Sequence, residues 1–118
     1  MAEMVAGIVV KPQAMEAAAR KGYATATDLA DYLVKQGLPF RDAHEVVAHA
    51  VKLGLQQGVD LADLPLAELK ALHPSIGDDA PSVLTLRGSL NARQVRGGTA
   101  PVQALAQIAR HRARLADR

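Results

Sequence analysis

A chain of 118 residues, 49% hydrophobic and 22% charged, has the length and composition of one globular domain rather than a disordered segment. The absence of cysteine excludes disulfides, thiolate catalysis and cysteine metal sites. Net charge is +2, but residues 1–86 hold seven basic and eleven acidic residues, and residues 87–118 hold seven basic and one acidic.

A domain of this size buries roughly two-thirds of its unfolded surface, enough for a core without staples. Alanine and leucine dominate, and aromatics are only 3%, which favours helices packed closely through small side chains. Met4 to Val10 is a short apolar run, far below the ~20 residues of a membrane span, and Glu3 sits where a signal peptide would be basic. A cytoplasmic location is the expectation.

In chain order, Met4, Val5, Ile8 and Val9 predict one face of a short first helix, ended by Lys11-Pro12. Pro12 suits the first turn of the next helix, an alanine-rich stretch over 13–21 closed by Gly22. Thr25 and Asp28 form a start resembling a capping box, with Asp replacing the usual Glu. Leu29, Tyr32 and Leu33 recur at helical spacing until Gly37. Pro39 holds Leu38 extended, so a sharp turn follows. Ala43, Val46, Val47, Ala50, Val51 and Gly54 then stripe a second helix that ends near Gly58. Tyr23, Tyr32 and Phe40, all the aromatics, fall in or beside these two helices, so the core is expected around them.

Pro65 marks a further helix start among Leu61, Leu64, Leu66 and Leu69, and His73-Pro74 a stop. Gly77 to Pro81 reads as a loop with two aspartates, and Ser82 to Leu86 as a short helix, since an isolated strand would lack a partner. Ser89 is placed as the cap of another short helix reaching Val95. Gly97-Gly98 breaks the chain, Thr99 caps, and Pro101 opens a final helix to about Leu115 with Val102, Leu105, Ile108 and Ala109 as its buried face. The fold class is all-α, a small orthogonal helical bundle with helix-turn-helix-like packing.

Thr25-Ala-Thr-Asp-Leu-Ala-Asp-Tyr-Leu-Val34, followed by Gly37-Leu-Pro-Phe-Arg-Asp-Ala-His44, resembles the start of the C-terminal domain of the argininosuccinate lyase family, in the aspartase and fumarase superfamily. Val83-Leu-Thr-Leu86, Asn91-Ala-Arg93 and Gly97-Gly-Thr-Ala-Pro101 resemble its closing segment, in the family's order. The family's catalytic loop, of the type Gly-Ser-Ser-x-Met-Pro-x-Lys-x-Asn-Pro, does not occur. The resemblance therefore implies a C-terminal piece of a longer lyase in which Met1 is not the native start. On that reading residues 1–118 are a single helical domain, with residues 1–11 the end of a helix of the preceding domain. An unpartnered stripe at residues 4–9 would then make the isolated chain self-associate. The resemblance further implies a parent that cleaves argininosuccinate to arginine and fumarate by β-elimination, without metal or cofactor. It implies a homotetramer whose active sites combine segments of several subunits. None of the family's catalytic positions maps onto a residue here. The expected partners are the rest of the lyase chain and sister subunits, with argininosuccinate bound only by the intact enzyme, and with no nucleic acid or membrane partner.

The residues alone offer weaker constellations. His44 and His49 approach the zinc-protease pattern, but a spacing of five turns them about 140° apart on a helix, so one ion could not take both. The helix–turn–helix outline fits a DNA reader, yet its second helix opens with Arg41, Asp42 and Glu45, and two carboxylates oppose phosphate. Arg96-Gly97-Gly98-Thr99 before a helix could bind an anion, but lacks a Walker ending, and the glycines read as chain breakers. Arg110, Arg112 and Arg114 suit the C-terminal end of a helix dipole. Asp28 and Asp31 read as exposed or capping groups, not as an acid/base pair. The remaining alternative is a stand-alone helical binding module for protein or nucleic acid.

Overall fold

The computed structural model describes residues 2–117. Eight α-helices follow one another: α1 (Ala2–Ala6), α2 (Pro12–Arg20), α3 (Ala26–Lys35), α4 (Phe40–Gln57), α5 (Leu66–Leu72), α6 (Ala80–Val83), α7 (Leu86–Ala92) and α8 (Pro101–Ala116), with a 3-10 turn at Leu61–Asp63. No strand occurs among the described residues, as the all-α expectation requires.

The core lies between α3 and α4 and is closed by the segment from Leu61 to Leu84. Leu29 and Leu33 on α3 and Ala43 and Ala50 on α4 are fully buried. Alanines at the crossing let the two helix axes approach, and Leu61, Leu69, Ile76 and Leu84 fill the remaining sides. Gly54 is an obligatory small residue: a Cβ there would lie 2.9 Å from Tyr23 Cε1 and 3.0 Å from the Val59 carbonyl oxygen. The Tyr23 hydroxyl donates to that same carbonyl at 3.1 Å, which ties the entry to α3 against the end of α4.

The molecule is elongated, 57 × 30 × 22 Å, with a radius of gyration of 18.1 Å. A compact chain of this length would have about 13–14 Å. The excess comes from both ends. Residues 3–22 are all exposed, and α8 contains no buried residue.

Several expectations are corrected. α1 stops at Ala6 rather than running to Lys11, because Gly7 and the β-branched run Ile8-Val9-Val10 do not continue it. Ile8 and Val9 therefore share no helical face with Met4 and Val5. Phe40 is not core but 63% exposed; as the first residue of α4 it projects outward, its ring 6.3 Å from that of His44. Thr25 stands at the N-cap of α3 but makes no capping bond, and its hydroxyl is buried. Thr85, not Ser89, caps α7, its Oγ1 accepting from the Gly88 N–H at 2.9 Å. Ala100, not Thr99, is the N-cap residue of α8. The face of α8 assigned to the core is exposed: Val102, Leu105 and Ile108 point to solvent.

Candidate functional site

The side chains that converge in space come from α3, the Gly77–Asp79 loop and the end of α7. Asp28, in the first turn of α3, is drawn inward because Leu29 and Tyr32 on the same helix flank must be buried. Its Oδ1 accepts from Arg93 Nη1 at 3.0 Å, across 65 residues of sequence. The carboxylate is 5% exposed and the guanidinium side chain 41%. The second oxygen, Oδ2, is buried and has no hydrogen-bond partner among the described residues. Asp28 is thus neither the exposed group nor the cap that its position suggested.

Arg93 fastens more than Asp28. Its Nη1 also donates to Ser89 Oγ at 2.8 Å and to the Ser89 carbonyl, which closes the last turn of α7. Its own carbonyl accepts from the Ala100 N–H at 3.2 Å. A Cβ on Gly98 would stand only 2.2 Å from that carbonyl, so the loop can fold back this tightly only with glycine. Ala100, 1% exposed, is the point where the chain touches the molecule before α8 departs.

Tyr32 joins the neighbouring loop. Its hydroxyl donates to Asp79 Oδ1 at 2.6 Å and accepts from the Gly77 N–H at 3.1 Å. The bond to the Asp79 carboxylate, and then burial, push the phenol above its ordinary pKa. Between these two clasps lies a shallow cavity of about 180 Å³ lined by Asp28, Asp31, Tyr32, Lys35, Ala92 and Arg93. Two carboxylates face two cations there.

This arrangement grips α7 and the Gly77–Asp79 loop against α3. The phenol is committed as a donor and made a weaker acid, the inner carboxylate is held by a guanidinium, and Asp31 is exposed at the rim. His44 and His49 are both exposed, and no cluster of three metal-ligating side chains exists among the described residues. In the Arg96–Thr99 segment the Gly98 N–H bonds the Val95 carbonyl, and in the first turn of α8 the Gln103 and Ala104 N–H groups both bond the Ala100 carbonyl. Sequence spacing gave no sign of Arg93 or Asp79 as partners. The available signal was Asp28 one turn before Tyr32 on a buried face, where a lone carboxylate needs a cation.

Comparison with known protein families covers α3, which carries Asp28, and most of α7, and stops two residues short of Arg93. The family model described as argininosuccinate lyase C-terminal matches residues 23–91, from the entry to α3 to within α7. The chain belongs to the argininosuccinate lyase family. It is 73% identical over 114 residues to argininosuccinate lyase of Methylibium petroleiphilum, covering 97% of this chain and 24% of that protein. It is 71% identical over 115 residues to the enzyme of Variovorax paradoxus, covering 98% and 25%, and 63% identical over 114 residues to that of Thiobacillus denitrificans, covering 97% and 25%. The chain thus spans about a quarter of the length of the curated relatives it matches. Within the family it corresponds to the C-terminal domain. No helix among its described residues is long and apolar enough to cross a membrane.

Proposed function

We propose that this chain is the C-terminal domain of a cytoplasmic, homotetrameric argininosuccinate lyase that cleaves argininosuccinate to arginine and fumarate by β-elimination. Residues 1–11 belong with the preceding domain. The observation that carries the reading is identity of 73% over nearly the whole chain to a protein of that name. The domain's contribution is structural. Elimination needs a base poised beside the carbon that loses its proton, and here the phenol of Tyr32 is bonded to Asp79 and the inner carboxylate of Asp28 to Arg93.

The test is fumarate release from argininosuccinate by the full-length chain and by the 118-residue chain alone. Turnover by the full-length protein and none by the short one is expected. Absence of turnover in the full-length protein overturns the assignment. Activity of the short chain that survives repurification overturns the structural role.

A further inference from the structure

α8 is turned the wrong way round for a helix that belongs to this domain alone. At about 100° per residue, Val102, Leu105, Ile108 and Leu115 fall on one side, with Gln103 and Gln107 roughly opposite. The polar side faces home: both glutamines are partly buried, and Gln103 Nε2 donates to the Gln94 carbonyl at 2.8 Å. The apolar side faces out, with Val102, Leu105, Ile108 and Leu115 exposed by 59, 65, 46 and 67%. A chain that buried α8 for its own sake would place these sides in reverse.

In the middle of the outward stripe sits Arg112, seven residues after Leu105, four after Ile108 and three before Leu115. An arginine surrounded by covered apolar surface needs a carboxylate opposite it. A second α8 does not supply one from its helical face, which offers Arg110, Arg112, Arg114 and no acidic residue between Pro101 and Ala116. The stripe exposes a few hundred Å², well below the ~800 Å² per partner of a standard interface between separate molecules. A tethered partner needs less, because tethering raises its effective concentration to about millimolar. The groove at the root of α8 points to where such a tethered partner comes from. It has about 560 Å³ and runs between Met15 and Ala19 of α2 on one side and Leu86, Leu90 and Pro101 on the other, so the incoming chain already lies along this side.

We infer that the outward face of α8 is the seat for an apolar surface in the preceding part of the same lyase chain, with an acidic residue set against Arg112. This rests on the reading of the chain as the C-terminal quarter of a lyase. The occupant is intramolecular, apolar, and carries one carboxylate.

Amide hydrogen exchange on the full-length protein tests it, read over residues 102–115. Slow exchange is expected in the unmodified protein. Leu105→Asp should raise the rate at least tenfold, and Arg112→Gln should raise it several-fold. Arg110→Gln, an equal change of charge on the opposite side, should leave it unchanged. Exchange in α3 and α4 should stay slow in all variants, which separates loss of docking from loss of fold. Fast exchange over 102–115 in the unmodified protein overturns the inference. So does protection that disappears on dilution to separated subunits, since the occupant is then another copy. If Arg112→Gln matches Arg110→Gln, the acidic partner is refuted. Fumarate release by the same protein reports on the lyase reading independently, so either result can fail alone.

Discussion

Replacing Arg93 by methionine isolates the long-range ion pair. Methionine keeps most of the stem but removes the guanidinium, leaving the Asp28 carboxylate, 5% exposed, without its cation. Breaking a fully buried pair costs about 3–5 kcal/mol, whereas exposed pairs are worth under about 1 kcal/mol. Arg93 is 41% exposed, so water replaces part of what is lost, and about 2 kcal/mol is expected. That is a large share of the ~5–15 kcal/mol that holds a domain together. Asp28→Asn removes the charge while keeping the shape, and should cost about 1 kcal/mol. In the Asp28→Asn background, Arg93→Met should cost little more, giving a coupling of about 1–2 kcal/mol. Urea denaturation followed by far-UV circular dichroism measures all four proteins. If Arg93→Met costs under about 0.5 kcal/mol, or costs the same in both backgrounds, the pair is not what holds α7 to α3.

Other perturbations follow from single contacts. Tyr32→Phe removes the bond to Asp79 and leaves the Gly77 N–H without its acceptor, for a loss of about 2 kcal/mol at neutral pH. Because the folded phenol titrates above its unfolded value near 10, the bond contributes fully below about pH 10 and is lost as pH rises through the raised value. Urea midpoints measured across that range should fall for the parent and fall less for Tyr32→Phe; equal slopes would refute the assignment. Gly54→Ala should lower the unfolding free energy read from urea denaturation by about 1–2 kcal/mol despite alanine's better helix propensity, since the Val59 carbonyl in its way is backbone; a gain would show that α4 can shift. Thr25→Val should stabilise by about 1 kcal/mol, because the buried Oγ1 has no partner among the described residues; a comparable loss in the same titration would reveal a cap after all.

The legible parts of the fold were those set by one helix face. Leu29, Tyr32 and Leu33, then Ala43, Val46, Val47, Ala50 and Gly54, are buried as their spacing predicts. Gly37 and Gly58 take the left-handed conformations that close their helices, with φ of 98° and 69°. The same rule misplaced α8, because periodicity tells which side of a helix is apolar and not what lies opposite it. Caps were misassigned for a related reason. Thr25, Thr85, Ser89 and Thr99 all stand close to helix starts, and only the backbone path decides which hydroxyl meets an N–H. The candidate site was the least legible. Asp28 with Arg93, and Tyr32 with Asp79, are joined across 65 and 47 residues, and no local pattern encodes either pair.

The ion pair also explains how a helix with no buried residue keeps a defined direction. Apolar contact at the end of α7 would tolerate rotation, since burial depends on area and little on angle. Arg93 instead meets Asp28 and two oxygens of Ser89, while its carbonyl holds the Ala100 N–H and the adjacent Gln94 carbonyl holds Gln103. The Ser89 bonds fix the guanidinium to α7 itself, so rotation of α7 against α3 breaks the directional bond to Asp28. The direction in which α8 leaves the domain is therefore fixed at its root, one residue before Pro101, by groups that also anchor α3. Losing Arg93 should release α8 as well as weaken the core, and the outward stripe would then no longer be held in one orientation toward its partner.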